Sequence, residues 1–424
     1  MEVWKVLPSS TKQKLIYLFL AGLLFWISIT LLLPTLPIYI QDLGGTTKEV
    51  GLVMGSFAIG LLASRTWLGK VADRRSRKIV ILIGTLVAAL APVFYVLLHS
   101  VYGLASIRAF HGISIAAFTI GYSALVVDLS PIQHRGKLIG YMNLAVPVGM
   151  SIGPALGGFL QATGKQYFPQ GTGHEVLFGL SATCGVLALI FSSQIKETGL
   201  PEGSDPSRVQ ENQRDFWQLT KDPALLVPTI VLLMIGLVFG TLVAFLPLYI
   251  KELQLDFNTG LYYTATAIAS FVVRLVVAPV SDRYGRGLFI SGALVCYFIS
   301  MVLLAIAQTP TMFMLSAIAE GSGAGVLIPL TLAMISDRSY ANERGKVFAL
   351  CMGGFDVGIA VGGPIFGFFA EVLGGYQGIF SLAAALALVA LIIFMTQTGK
   401  NLRHSLNFAL GKVPDVYALD KSLV

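Results

Sequence analysis

Four ionisable residues lie inside long apolar stretches of this 424-residue sequence, and they are its main candidates for chemistry. They are Arg108, His111, Glu320 and Asp356. A charged side chain in such a stretch is costly unless it is paired or hydrated, so each residue is a functional hypothesis. A carboxylic acid in apolar surroundings favours its neutral form and can therefore take up and release protons. We expect these four residues to take part in proton coupling.

Their spacing relates these residues to one another. Arg108 and His111 are three positions apart, so they share one helix face with Gly112. Glu320 matches His111 when the sequence is offset by 209 residues (320 − 111 = 209). Other roles stay open. Arg108 could hold helices together through backbone carbonyls, and His111 could bind substrate or be a packing residue. Either acid could pair with an arginine, cap a broken helix or recognise a cationic substrate.

The composition indicates an integral membrane protein. The chain is 55% hydrophobic and 12% charged, with a mean hydropathy of +0.78, whereas a soluble domain carries about 25% charged residues. The net charge of +7 does not indicate nucleic-acid binding, because the basic residues lie in short segments between apolar runs. The three cysteines are far apart in sequence and are interpreted as packing residues.

Hydropathy and loop signals predict twelve membrane spans, and hence an all-α fold. One long polar stretch rich in proline, glycine and serine interrupts them and is interpreted as a linker. The predicted organisation is an N-terminal six-helix bundle over 1–195, a cytoplasmic linker over 196–222, a C-terminal six-helix bundle over 223–397 and a cytoplasmic tail over 398–424.

The distribution of lysine and arginine predicts the orientation. With twelve spans, almost all basic residues fall on the side of the two termini, and only Lys48, Lys165 and Lys251 fall on the other side. Cytoplasmic loops carry the excess of positive charge. We therefore expect a multi-pass protein of a plasma membrane, with a bacterial inner membrane as our interpretation, and with both termini in the cytoplasm.

The two halves of the chain repeat one another. Asp128 before Arg135-Gly136-Lys137 matches Asp337 before Arg344-Gly345-Lys346 at an offset of 209 residues (337 − 128 = 209). Gly153-Pro154 matches Gly363-Pro364 at an offset of 210 (363 − 153 = 210). A six-span repeat predicts two bundles with a path between them, and rocking of the bundles would give alternating access.

A glycine-rich stretch over 149–158 lies in an apolar run that we expect to form a helix over about 138–160. Gly149, Gly153 and Gly157 recur every four residues and line one helix face. Small residues allow close helix contact in a membrane. We interpret these glycines, together with Pro154 and Gly158, as a packing surface and as a hinge of a moving protein.

Several motifs resemble those of the major facilitator superfamily over about residues 15–397. The segment from Gly69 to Lys78 resembles the family signature between spans two and three, with Ser76 where the pattern has glycine, so we expect a different turn there. A second copy of this signature, in the second half of the chain, runs from Ala278 to Arg286. Arg108 with Gly112 resembles the arginine motif of span four. The 149–158 stretch resembles the glycine-proline motif of drug:proton antiporters.

The resemblance implies a charge network at the cytoplasmic ends of the spans that latches one conformation. It assigns this role to three residues of the first half and to their three counterparts in the second half: Asp73, Arg77, Asp128, Asp282, Arg286 and Asp337.

The resulting hypothesis is a transporter that exports a small organic molecule in exchange for protons. Five side chains could line its cavity: Tyr39, Tyr122, Asn143, Tyr262 and Phe355. The expected partners are substrate, protons and the lipid bilayer, with no nucleic acid, and the chain is expected to be a monomer. No nucleotide-binding loop, metal cluster or nucleophile–base pair is present in the sequence, so we expect neither an enzyme nor a cofactor. Two alternatives remain: a proton symporter for a sugar, organic acid or peptide, and a non-transporting receptor.

Overall fold

The computed structural model describes residues 7–131, 134–167, 172–195, 216–340 and 343–419. The side chains of residues 164–167, 172, 216, 217 and 282 are outside this description. Most of the predicted linker, residues 196–215, also lies outside it. The chain forms two compact units. Unit 1 comprises residues 1–202, 246–251 and 257–264, and unit 2 comprises residues 203–245, 252–256 and 265–424.

Helices are the only regular secondary structure among the described residues, and none of these residues is in a strand. In chain order the helices are α1 (Ser9–Leu31), α2 (Leu36–Asp42), α3 (Thr47–Arg74), α4 (Arg77–Leu97), α5 (Val101–Leu129), α6 (Arg135–Met142), α7 (Ala145–Tyr167), α8 (Thr172–Ser193), α9 (Phe216–Lys221), α10 (Pro223–Glu252), α11 (Thr259–Tyr284), α12 (Arg286–Ala305), α13 (Pro310–Asp337), α14 (Arg344–Phe368), α15 (Tyr376–Gln397) and α16 (Leu402–Ala409).

Twelve helical stretches within the described ranges are long and apolar enough to cross a membrane. Helices α1 and α2 together form the first stretch, and α6 and α7 form the fifth. The prediction of an all-α protein with twelve spans is thus confirmed. Several helices run further than their apolar cores. For example, the backbone of α3 keeps its helical hydrogen bonds beyond the apolar residues, so the helix continues to Arg74.

Prolines mark two breaks in the spans. Helix α1 ends at Leu31 and α2 begins at Leu36, with Pro34 in the turn between them. The helix expected over 138–160 is also interrupted, because α6 ends at Met142 and α7 begins at Ala145. Pro147 has no N–H to donate to the carbonyl of residue 143, and its ring crowds that carbonyl, so the helical ladder is broken just before it.

Close backbone contacts and buried serines hold unit 1 together. A Cβ on Gly112 of α5 would lie 1.8 Å from the carbonyl oxygen of Phe57 in α3, so only glycine fits there. Ser28 of α1 and Ser181 of α8 exchange hydrogen bonds with each other's backbone carbonyls at 2.8 and 2.9 Å. Small residues and interhelical hydrogen bonds are the usual means of packing helices in membranes.

Unit 2 repeats these devices. A Cβ on Gly321 of α13 would lie 2.2 Å from the carbonyl oxygen of Thr266 in α11. These two residues match Gly112 and Phe57 of unit 1 at the offset of 209 (321 − 112 = 209; 266 − 57 = 209). Two buried serines, Ser300 of α12 and Ser316 of α13, bond each other's carbonyls at 2.9 and 3.0 Å.

The turns before α4 and α12 differ, as the sequence predicted. Ser76 is the N-cap of α4, and its hydroxyl accepts a hydrogen bond from the backbone N–H of Ile79 at 3.1 Å. At the matching position before α12, Gly285 has φ of +86°, which favours glycine. The serine thus replaces a left-handed turn with an ordinary helix cap.

The C-terminal tail is folded onto unit 2. Helix α16 packs against α12 and α15. Phe408 is buried, and Ser291 of α12 donates a hydrogen bond to the carbonyl oxygen of Ala409 at 3.0 Å. Further along the tail, the carboxylate of Asp415 accepts two hydrogen bonds from the guanidinium of Arg338, at 2.7 and 3.0 Å.

Candidate functional site

A buried polar cluster lies between α3, α4 and α5 in unit 1. Arg108 and His111 project from α5, and they are 4% and 0% exposed. The Tyr95 hydroxyl of α4 shares a hydrogen bond of 3.2 Å with Nδ1 of His111 and also lies near the Arg108 side chain. A further hydrogen bond fixes the position of Tyr95, because the Tyr39 hydroxyl donates to the Tyr95 carbonyl oxygen at 3.0 Å.

Phe57 of α3 covers this cluster. The guanidinium carbon of Arg108 lies 4.3 Å from the centre of the Phe57 ring, which is cation–π geometry. The His111 ring meets the same phenyl ring edge-on, with 5.7 Å between the ring centres. Nε and Nη1 of Arg108 and Nε2 of His111 are buried and have no hydrogen-bond partner among the described residues.

Glu320 is the buried acid of unit 2. It lies on α13, is 1% exposed, and lies near Thr266 of α11, whose hydroxyl donates to the Ala317 carbonyl oxygen at 3.2 Å. Its Oε2 atom has no hydrogen-bond partner within the described part of the chain. Glu320 therefore matches His111 in position and in burial. It is an acid, however, whereas the matching place in unit 1 holds basic side chains.

Asp356 is the second buried acid, on α14, and is 6% exposed. The glycines on either side of it allow close packing against α10. A Cβ on Gly354 would lie 2.8 Å from the carbonyl oxygen of Thr229, and one on Gly358 would lie 2.3 Å from that of Leu233. Asp356 is two positions from each of these glycines, so its side chain projects from the other side of α14.

The predicted latch residues form one ion pair in each unit. In unit 1, Nε of Arg77 lies 2.5 Å from Oδ2 of Asp128, and in unit 2, Arg286 pairs with Asp337. The two pairs occupy matching positions. Asp73 is exposed and has no ion-pair partner in the described ranges, and the side chain of Asp282 lies outside the described residues.

The glycine stretch of α7 faces two neighbours. Gly149, Gly153 and Gly157 lie against α1, where a Cβ on each would come within 2.5 Å of Trp26 Cβ, 2.1 Å of Thr30 Oγ1 and 2.2 Å of the Leu31 carbonyl, respectively. Gly158 approaches the side chain of Asn258, and Pro154 approaches Gly260 through its carbonyl, both in the 257–264 segment of unit 1. The four-residue spacing thus serves close helix contact; a role as a hinge stays a prediction.

The five predicted cavity side chains have different surroundings. Tyr39, Tyr122 and Tyr262 are buried in unit 1, and the Tyr122 hydroxyl donates to the Met142 carbonyl oxygen at 2.8 Å. Asn143 is exposed at the break between α6 and α7, and Phe355 is half-buried beside Phe239. Their contact with substrate stays a prediction.

Two ion clusters escaped the sequence reasoning. At the end of α2, Asp42 accepts a hydrogen bond from Lys251 at 2.6 Å and lies 3.3 Å from Nε2 of His174, all within unit 1. In unit 2, Arg338 pairs with Asp415. Asp42 and Lys251 lie in segments that match each other in the internal repeat, but the repeat does not predict that they pair, and Asp415 belongs to no motif. No group of three potential metal ligands occurs in the ranges that the structure describes.

A multi-pass helical membrane protein with two repeated units and ionisable side chains buried in its spans has the architecture of a secondary transporter.

The chain belongs to the major facilitator superfamily, whose sequence profile matches residues 18–307 and 255–414. The multidrug resistance protein MdtG of Serratia proteamaculans is 25% identical over 89% of this chain and 92% of that protein. The quinolone resistance protein NorA of Staphylococcus aureus strain MRSA252 is 26% identical over 81% of this chain and 87% of that protein.

Solved structures share the fold. The nucleoside transporter NupG superposes with a TM-score of 0.71 at 18% identity, covering 92% of this chain and 98% of that one. A bacterial homologue of the human lysosomal transporter Spinster, in an inward-facing state, gives a TM-score of 0.69 at 16% identity, covering 95% and 97%. The sequence profile and the relatives identify this protein as a membrane transporter of that superfamily, and these structures show the fold.

Proposed function

We propose that this transporter exports a small organic molecule, such as a drug, in exchange for protons that move inward. The observation that carries the proposal is Glu320, an acid that is buried in a membrane span and has one carboxylate oxygen without a partner in the described ranges. Burying an ionised carboxylate without a cation is costly, whereas the neutral acid is tolerated. Glu320 therefore binds a proton when its site is closed and releases it when the site opens to water.

Asp356 is the second candidate for coupling. It is buried on α14, on the side of the helix opposite to the glycine contact with α10. A small movement of α14 would change how much water reaches this acid, and so its tendency to hold a proton. In the proposed cycle these two acids, on consecutive spans of unit 2, hold the proton while the substrate site changes sides.

The ion pairs at the ends of the spans supply the latch of the proposed cycle. Arg77–Asp128 and Arg286–Asp337 occupy matching places in the two units. An ion pair at a moving helix end stabilises one conformation and must break in the other. By the positive-inside rule these ends and both termini face the cytoplasm, and the membrane is a plasma membrane, which we interpret as a bacterial inner membrane. The working unit is a monomer.

The relatives favour export over uptake. MdtG and NorA are named for multidrug and quinolone resistance, and both align over most of this chain. Resistance by a transporter requires removal of the drug, and the glycine-rich face of α7 is the feature that this chain shares with drug:proton antiporters by resemblance.

Proteoliposomes with an acidic interior test this proposal. A panel of drugs that includes a quinolone and a cationic dye is added outside, and both substrate uptake and the internal pH are recorded. An antiporter accumulates substrate as protons leave, so the acidic interior should increase accumulation. Glu320→Gln should abolish this response. Glu371→Gln changes an exposed acid in a loop and serves as the matched control.

Three outcomes would argue against the proposal. Accumulation that increases with an alkaline interior would indicate a symporter. Accumulation that does not depend on the pH gradient would exclude proton coupling. A gradient response that survives in both Glu320→Gln and Asp356→Asn would leave coupling without the acids that we assign to it.

A further inference from the structure

Unit 1 contains a set of hydrogen-bond donors that lacks an acceptor. Nε and Nη1 of Arg108 and Nε2 of His111 are buried and without partners among the described residues. The two side chains share a helix face and contact the same Phe57 ring. When the Tyr95 hydroxyl donates to Nδ1 of His111, as the nearby guanidinium favours, Nε2 carries the proton and is a donor. The cluster therefore presents N–H groups only.

The other buried arginine of the described chain shows what a structural arginine receives in this protein. Arg338 is 2% exposed, compared with 4% for Arg108. Its guanidinium donates two hydrogen bonds to Asp415 and one of 2.7 Å to the carbonyl oxygen of Ala224. Arg108 takes part in none of the ion pairs among the described residues and has the Phe57 ring instead of a carboxylate. A cation–π contact compensates a buried charge only in part.

The internal repeat shows that helix packing does not need an arginine at this place. The residue that matches Arg108 in unit 2 is Ala317 (317 − 108 = 209), which is fully buried on α13. Helix α13 nevertheless makes the matching glycine contact with α11 through Gly321 and Thr266. The arginine of unit 1 therefore adds something to a contact that is already complete without it.

A carboxylate has the properties that this cluster lacks. It is negatively charged, accepts hydrogen bonds on two oxygens and fits the planar fork of a guanidinium. We propose that Arg108, together with His111 and Tyr95, binds the carboxylate of the transported molecule. The inference rests on the proposed function, because it identifies the substrate class of that transporter as organic acids or zwitterions with an apolar body.

Equilibrium binding without any proton gradient tests this assignment separately from export. The probes are aromatic carboxylic acids, quinolones among them, each paired with its own carboxamide, and binding to the detergent-solubilised full chain is measured by thermal shift and by competition. Wild type should bind at least one acid about tenfold or more tightly than its carboxamide. Arg108→Gln should abolish this preference and leave carboxamide binding unchanged. Arg108→Lys, which keeps the charge without the fork, should retain part of it.

Controls separate loss of recognition from loss of fold. Arg108→Ala copies the residue of unit 2 and should elute and melt as a folded protein. His111→Leu should weaken acid binding by less than Arg108→Gln, because it removes one neutral donor. Lowering the chloride concentration, with sucrose to keep the osmolarity constant, distinguishes an inorganic anion from the carboxylate of the substrate.

The inference is overturned if no acid binds more tightly than its carboxamide, if no acid binds at all, or if Arg108→Gln keeps the preference. It is also overturned if the cluster responds only to chloride. Proton-driven export of cationic or neutral compounds without competition by acids would leave the proposed function standing and remove this inference. Acid binding that depends on Arg108, in a protein that exports nothing, would support this inference and remove the proposed function.

Discussion

Removing Asp415 should destabilise unit 2 more than any other single change in the C-terminal tail. The guanidinium of Arg338 is enclosed, with 0% of its side chain exposed, whereas Asp415 is 14% exposed. Asp415 is its only carboxylate partner among the ion pairs of the described residues. The Tyr417 ring, 5.2 Å from the guanidinium carbon, helps to close the site. Asp415→Ala would leave a cation that water cannot easily reach.

The magnitude follows from the two hydrogen bonds and the burial. Truncating one partner of a buried ion pair costs about 3–5 kcal/mol, because the other charge stays buried and uncompensated. Asp415→Asn keeps one acceptor oxygen and should cost roughly half as much. In a unit of this size, 1 kcal/mol corresponds to roughly 2–4 °C in melting temperature, so Asp415→Ala should lower the melting temperature on the order of 10 °C.

Thermal unfolding of the purified full chain in detergent measures this shift. Glu371→Ala, which removes an exposed acid, is the matched control and should melt like wild type. Replacing both partners, as in the double variant Arg338→Met with Asp415→Leu, should recover part of the loss, since an apolar pair avoids the buried charge.

An Asp415→Ala shift no larger than that of Glu371→Ala would refute this reasoning. It would mean that the tail is not docked, or that water reaches Arg338 freely. A double variant as unstable as the sum of its two single variants would refute the pairing itself, because coupled residues give non-additive effects.

Two further predictions concern unit 1. Gly112→Ala places a Cβ 1.8 Å from a backbone carbonyl that cannot rotate away, so we expect a loss of about 3 kcal/mol or more in unfolding experiments. Gly179→Ala, on an open face of α8, should be neutral or stabilising, and equal melting of the two variants would contradict the packing argument. Lys251→Gln breaks a pair with Asp42 whose side chains are 34% and 38% exposed, so the cost should stay below about 1 kcal/mol and fall further with salt; a larger loss would mean that this pair is more shielded than it is in this structure.

The spans and the repeat could be predicted because each depends on local or periodic information. An apolar run long enough to cross a bilayer is visible in the sequence, and so is a matched aspartate such as Asp128 or Asp337. The offset of 209 residues also related Arg77 to Arg286, whose ion pairs with these aspartates are present in both units. Such pairs recur because the repeat supplies both partners.

The remaining contacts depend on side chains that the repeat does not relate. Arg338 and Asp415 are 77 residues apart, and the residue that matches Arg338 in the first half is Leu129 (338 − 209 = 129), so the repeat does not predict this pair. Thr266, which lies near Glu320, is one of many polar residues in the spans and has no motif around it. Hydropathy identifies which residues are inside the membrane but not which of them meet.

The two units use one packing scheme for two kinds of chemistry. Gly112 against Phe57 and Gly321 against Thr266 are the same backbone contact at the same offset. Because the backbone contact fixes the distance between the helices, the side chains beside it can differ without changing the fold. At these positions unit 1 places Arg108 with His111, and unit 2 places alanine with Glu320. The repeat thus separates basic groups, suited to an anionic ligand, from an acid suited to a proton.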